Sequence, residues 1–146
     1  MKVALHRIDD DFLFETVNED GLTVRTDGSP DIGGHNRAVR PMQMVLAALA
    51  SCSGIDVVLL LRKQRQDLQD IKISVEAKRV DTEPRIFTDI HVHYRLFGAL
   101  DEKKAERACR LSMEKLCSVS MMLKNGGVTI TWGFEIEPAG TVGTKS

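Results

Sequence analysis

The stretch from Pro41 to Leu61 constrains this chain more than any other part of it. Small and aliphatic side chains dominate it, and the residues from Met42 to about Gln66 favour a helix,. Pro41 suits the first position of that helix, where a missing N–H costs nothing. Arg62, Lys63 and Arg65 suit a solvated C-terminal end facing the negative pole of the dipole,. The first half is nearly uncharged, so burial on most sides is expected. Its length raises the question of a membrane span, but Gln43, Ser51, Ser53, Gly54 and Asp56 interrupt it, which points to a buried soluble helix,. A helix this apolar has more surface to bury than one small sheet face can cover. The excess predicts a partner chain, and so a homodimer.

The segments around the helix read as strands and shorter helices. Residues 3–7, 12–17 and 22–27 look like short strands, with Asn18-Glu-Asp-Gly21 as a turn,. A loop by composition runs from Asp27 to about Arg40, and a loop of that length in a compact domain is often functional,. The alternation from Ile71 to Lys78 predicts a half-buried strand. A turn at Glu83-Pro-Arg leads to a second strand from Ile86 to Leu96, with Ile90, Val92 and Tyr94 on one face and His91 and His93 on the other,. Asp101 can cap a helix from Glu102 that weakens near Leu116-Cys117. A short helix follows from Ser118 to Lys124 and stops at Asn125-Gly-Gly127,. A last strand spans residues 128–136, and residues 138–146 read as a frayed tail. This order defines an α+β class with mainly antiparallel pairing and the long helix packed on the sheet, in a single domain over residues 1–146,.

Charge excludes two classes of partner. Lys and Arg number 20 against 21 Asp and Glu, so there is no basic excess for nucleic acid and no polybasic block for a membrane surface,. The three cysteines show neither zinc spacing nor a secreted disulfide framework,. A reducing cytoplasm is the expected setting, where a cysteine pair more often does chemistry than holds structure.

Cys52 lies within the small-residue run of the long helix, and Cys117 lies where the later helical pattern breaks and restarts. Free cysteine in an apolar helix is commonly inert, and a carboxylate at Asp56, one turn on, opposes a thiolate. Cys117 precedes Ser118-Val-Ser120, where free N–H groups and the helix dipole favour a thiolate; local physics therefore ranks it the more acidic sulfur. Cys109 has the neighbours of a core residue. Arg37 and Arg40 flank the start of the long helix, and either can lower a thiol pKa or hold a peroxide oxygen. His91 and His93 could hold a metal only with a third ligand.

Pro41-Met-Gln-Met-Val-Leu-Ala-Ala-Leu-Ala-Ser-Cys52-Ser-Gly-Ile-Asp-Val-Val and Leu111-Ser-Met-Glu-Lys-Leu-Cys117-Ser-Val-Ser-Met-Met-Leu resemble the two signature segments of the OsmC/Ohr family, osmotically induced and organic hydroperoxide resistance proteins. The match is nearest to the OsmC-like redox-protein branch and extends over nearly the whole chain. The resemblance implies an OsmC-like α+β fold, an intertwined homodimer with sites at the subunit interface, and thiol-dependent reduction of organic hydroperoxides without a metal or other cofactor. It implies that Cys52 attacks the peroxide and becomes a sulfenic acid, that Cys117 resolves it to a disulfide, and that an external dithiol or lipoylated protein reduces the bridge. This reverses the local ranking of the two sulfurs. Where the family places a glutamate near the helix start, this chain has Gln43, which can hydrogen-bond an arginine but cannot pair its charge. The family's arginine comes from the N-terminal part and would fall on Arg40, with Arg37, Arg25 and Arg7 as the other candidates. The alternative the resemblance leaves is a non-catalytic dimer of the same fold that binds a small apolar ligand at its interface.

Overall fold

The computed structural model describes residues 1–141. Two compact units divide the chain, Met1–Ala47 and Ala48–Ser146.

The first unit holds three short antiparallel strands in the order β1 (Val3–Arg7), β2 (Phe14–Asn18) and β3 (Thr23–Thr26). The turn expected at Asn18–Gly21 is built by Asn18, whose side chain accepts from the N–H groups of Asp20 and Leu22,. Gly21 follows in the left-handed region at φ 79°,. The loop after β3 is organised around one buried carboxylate. Asp27 accepts from the N–H groups of Gly28 at 2.8 Å, Arg37 at 3.0 Å and His35 at 3.2 Å. Gly34 allows the loop to close on itself, because a Cβ there would fall 1.9 Å from the Gly28 carbonyl oxygen.

The long helix α1 spans Pro41–Lys63, as Pro41 predicts. It ends before the expected Gln66 in a Schellman motif: Gln66 N–H reaches Leu61 O at 2.9 Å, and Arg65 turns left-handed at φ 55°,. By length and composition α1 could cross a membrane, and one such helix is also what a soluble core helix looks like,. The expectation of burial on most sides is not met within one chain. Its buried residues are Leu49, Ser53, Val57 and Leu61, a stripe at four-residue spacing, while Ile55 and Leu59 stay exposed,.

The second unit builds a sheet in the order β4 (Asp67–Arg79), β5 (Phe87–Ala99) and β6 (Thr129–Glu137). β4 and β5 pair antiparallel across the Glu83–Pro84 turn. β5 and β6 pair parallel, and the crossover that a parallel pair requires is supplied by α2 (Glu102–Leu111), a π-helical turn (Ser112–Leu116) and α3 (Ser118–Asn125),. Ile90, Val92, Tyr94 and Leu96 of β5 point into the core together, as the alternation predicts,. α1 lies on that face. A Cβ at Gly54 would meet Ile73 of β4 at 3.1 Å, and Ser53 bonds Tyr94. Asp101 caps α2 by accepting from Lys104 N–H at 2.9 Å,. Gly127, at φ 93°, ends α3,. Of the expected C-terminal tail, Ala139–Thr141 forms one 3-10 turn, and residues 142–146 lie outside the described residues.

Candidate functional site

Within the second unit, the two singled-out cysteines meet. Cys52 sits half-buried on α1 and Cys117 is fully buried between the π-helical turn and α3. Cys52 lies close enough to Cys117 to contribute to the rise of its thiol pKa. The π-helical turn creates the Cys117 position: its N–H bonds Ser112 O at 2.9 Å, and its backbone then leaves the helix at φ −67° and ψ 109°. That makes Cys117 the N-cap of α3, with Sγ accepting from Ser120 N–H at 3.4 Å,.

The helix-end argument for an acidic Cys117 fails here. Burial pushes its thiol up to about 11, and the neighbouring Cys52 adds to the rise; the N–H groups of Ser120 and Val119 only partly oppose it,. An isolated helix N-terminus would lower a thiol in water, but this one is sealed from water. Cys109 is the core residue its neighbours suggest. It is buried on α2, and burial, then the charge of Glu106, pushes its thiol up to about 12.

Four further residues line the space between the cysteine-bearing elements. Ser53 Oγ contacts the Tyr94 hydroxyl and, at 2.7 Å, Ser112 Oγ; Ser112 donates to Asp56 Oδ2 at 3.0 Å. Asp56 is therefore held by a hydroxyl rather than standing bare beside Cys52. Ser53, Tyr94 and Ser112 are wholly buried. Sequence reasoning placed Tyr94 on the core face but had no signal for this network, because its members come from α1, β5 and the π-helical turn.

The residues expected to serve the thiolate lie in the first unit. Gln43 forms the reciprocal half of a capping box, its Oε1 accepting from Arg40 N–H at 2.9 Å,. The Arg40 guanidinium donates to Ala38 O at 2.8 Å and Asn36 Oδ1 at 2.7 Å. Arg37 reaches Asp9 Oδ2 at 3.3 Å. Asp9, Asp11 and His35 place three ligand-type atoms within 4.8 Å of one another. Arg37 pairs with Asp9 there, and a His35 ring nitrogen hydrogen-bonds Asp11 at 2.5 Å. His91 and His93 stack at 6.4 Å on the outer face of β5; His91 bonds Thr131, and among the described residues the pair gathers no metal-ligand trio.

An α+β unit with a long helix laid on a sheet, and a half-buried thiol facing a buried one, defines a class of two-cysteine domain. The model of the OsmC-like protein family matches residues 34–133, and the chain belongs to that family. Protein YhfA of Escherichia coli strain K12 is 42% identical over 105 residues, covering 71% of this chain and 78% of that protein. A hypothetical protein of Aquifex aeolicus VF5 superposes with a TM-score of 0.81 at 31% identity, over 94% of this chain and 96% of the other. The organic hydroperoxide resistance protein OsmC of Legionella pneumophila shares the fold at a TM-score of 0.69 and 19% identity, over 92% and 97% of the two chains.

Proposed function

We propose that this protein is a thiol peroxidase that reduces organic hydroperoxides. The observation that carries the reading is the asymmetry of the two sulfurs: Cys52 is within reach of solvent, whereas Cys117 beside it is buried and held protonated. An attacking sulfur needs access, and a resolving sulfur needs only proximity.

The Cys52 thiolate attacks one peroxide oxygen. The O–O bond breaks, the alkoxide takes a proton and leaves as the alcohol, and Cys52 becomes a sulfenic acid. Cys117 then attacks that sulfur. The S–S bond forms, the S–O bond breaks, and hydroxide leaves with the thiol proton as water. A dithiol, small or lipoylated, returns both cysteines to thiols and is itself oxidised to a disulfide. This scheme uses no metal or organic cofactor and belongs to a reducing cytoplasm.

Arg40, or Arg37 in its place, serves the Cys52 thiolate in this reading. A cation there lowers a thiol pKa by about 1–3 units, so Arg40→Ala should slow the peroxide step at least about tenfold at neutral pH. A homodimer is part of the proposal, because Ile55 and Leu59 on α1 need a cover that one chain does not supply,.

The deciding experiment follows tert-butyl hydroperoxide consumption with dithiothreitol as reductant. Cys52→Ser should abolish turnover; equal rates in native and variant proteins would end the enzyme reading. An apolar cleft of about 320 Å³ lined by Gly54, Ile55, Val58, Leu59, Arg62 and Ile71 supports the second reading, a non-catalytic dimer binding a small apolar ligand,. Gln43, engaged as a helix cap where the family places a glutamate, favours it too. Inert Cys52 together with saturable binding of an apolar fluorescent probe would select it.

A further inference from the structure

The hydroxyls of Tyr94, Ser53 and Ser112 and the carboxylate of Asp56 form one chain of hydrogen bonds, and its far end fixes its direction. Ser112 gives its proton to Asp56, so its oxygen accepts from Ser53,. Ser53 has then spent its own proton and accepts from Tyr94,. Burial drives the Tyr94 phenol upward in pKa and keeps it a donor,. Each hydroxyl therefore has one assigned role, and none can rotate away without stranding a neighbour inside the core.

This chain also links the two sulfurs. Ser53 directly follows Cys52 on α1. Ser112 offers its carbonyl to the Cys117 N–H at 2.9 Å and so closes the π-helical turn that ends on Cys117. Tyr94 reaches this junction from β5, which is paired on both sides by β4 and β6. Any slip of Ser112 past Ser53 would move Cys117 past Cys52. A disulfide tolerates little such slip, because its Cα separation and dihedral are narrowly defined.

We propose that the Tyr94 hydroxyl, acting through Ser53 and Ser112, is the positioning device that sets the two sulfurs for bridge closure, and that it does not take part in peroxide attack. The physiological use of that closure rests on the thiol-peroxidase reading. The closure itself does not, because diamide takes two electrons and two protons from a pair of thiols and leaves the same disulfide.

Two oxidants therefore separate the claims. Native protein, Tyr94→Phe and Ser112→Ala are treated without reductant, first with tert-butyl hydroperoxide and then with diamide, and the products are read by mass spectrometry. In Tyr94→Phe, which leaves the Ser112–Asp56 bond in place, peroxide consumption by Cys52 should stay within about twofold of native, whereas Ser112→Ala also bares Asp56 beside Cys52 and should slow that step too,. In both variants bridge closure should slow by about tenfold or more with either oxidant, and excess peroxide should drive Cys52 on to the sulfinic acid. Closure within twofold of native in both variants would overturn the positioning role. If native Cys52 ignores peroxide while diamide still closes the bridge slowly in the variants, the peroxidase reading falls and the positioning role stands. Tyr94 is the chain's only tyrosine, so 3-fluorotyrosine labels it alone and allows the test without a fold-threatening substitution. Its fluorine resonance should move between the dithiol and disulfide forms; an unchanged resonance would also overturn the proposal.

Discussion

In the first unit, the polar centre is a charged group: Asp27, 1% exposed, surrounded by backbone N–H donors from its own loop. In the second, the polar centre is a row of neutral hydroxyls set into an apolar core of Leu61, Ile90, Val92 and Leu96. The strands differ in the same sense. β1 is exposed at every position, whereas β5 alternates into a closed interior and buries Leu96, Phe97 and Gly98 in succession before its exposed last residue. The loop of the first unit is therefore tied together by hydrogen bonds to a carboxylate, which titrates. The second unit is held by apolar burial, which does not.

The largest expected difference lies in the cysteines of the second unit. With its thiol raised to about 11, Cys117 is about one part in a thousand thiolate at pH 8, and it is sealed as well,. Timed alkylation with iodoacetamide should modify Cys52 first, with Cys117 and Cys109 labelling only after unfolding. Peptide mass spectrometry that found Cys117 labelled as fast as Cys52 would dissolve the contrast on which the roles of the two sulfurs rest.

Core truncation comes next. Leu96 is wholly buried, so Leu96→Ala should cost about 2–5 kcal/mol in urea unfolding,. Val24 on β3 is 45% exposed, and Val24→Ala should cost less than about 0.5 kcal/mol,. Equal costs would show that the small sheet also carries a covered apolar face in solution, and the contrast between the units would need redrawing.

Asp27 sharpens the comparison through pH. The Arg37 N–H is the largest influence lowering its pKa, with the Gly28 and His35 N–H groups adding to it against the opposing effect of burial. A carboxyl whose folded value is lowered contributes stability above its unfolded value, about 3.9, and loses it as pH falls through the folded value. Asp27→Asn keeps one acceptor but turns an NH2 toward N–H donors. It should lower the urea midpoint at pH 7, and the gap from native should narrow on acidification to pH 3. A gap that stays constant across this range would mean that the carboxylate charge does not hold the loop.

Much of this was legible in the sequence, and the failures share a cause. Pro41, Asp101 and Asn125-Gly-Gly127 mark helix ends by local chemistry, and the structure has those ends,. The alternation around Ile90, Val92 and Tyr94 named the buried face of β5. Local pattern could not show that β6 joins β5 in parallel, since pairing partners are chosen by the crossover and not by the strand itself,. It ranked Cys117 as acidic because a helix N-terminus is visible in sequence and burial is not. Ser53 and Ser112 are 59 positions apart, so their shared network had no local signature. The two cysteines were legible as a pair only because each sits in a distinctive segment.

The end of α1 yields the smallest effect and a direct check on this distinction. The helix stops at Lys63 because Arg65 adopts the left-handed conformation, at φ 55°, that the Schellman motif requires,. No glycine marks the spot, so the helical pattern in the sequence runs on to about Gln66. A side chain held there costs about 1 kcal/mol relative to glycine. Arg65→Gly removes that cost but gives the unfolded chain more freedom, which offsets about 0.5–1 kcal/mol. The two nearly cancel, and the variant should match native stability within about 0.5 kcal/mol in urea unfolding. A loss well beyond that would mean the Arg65 side chain holds the helix end through contacts of its own, and that backbone conformation alone does not explain where α1 stops.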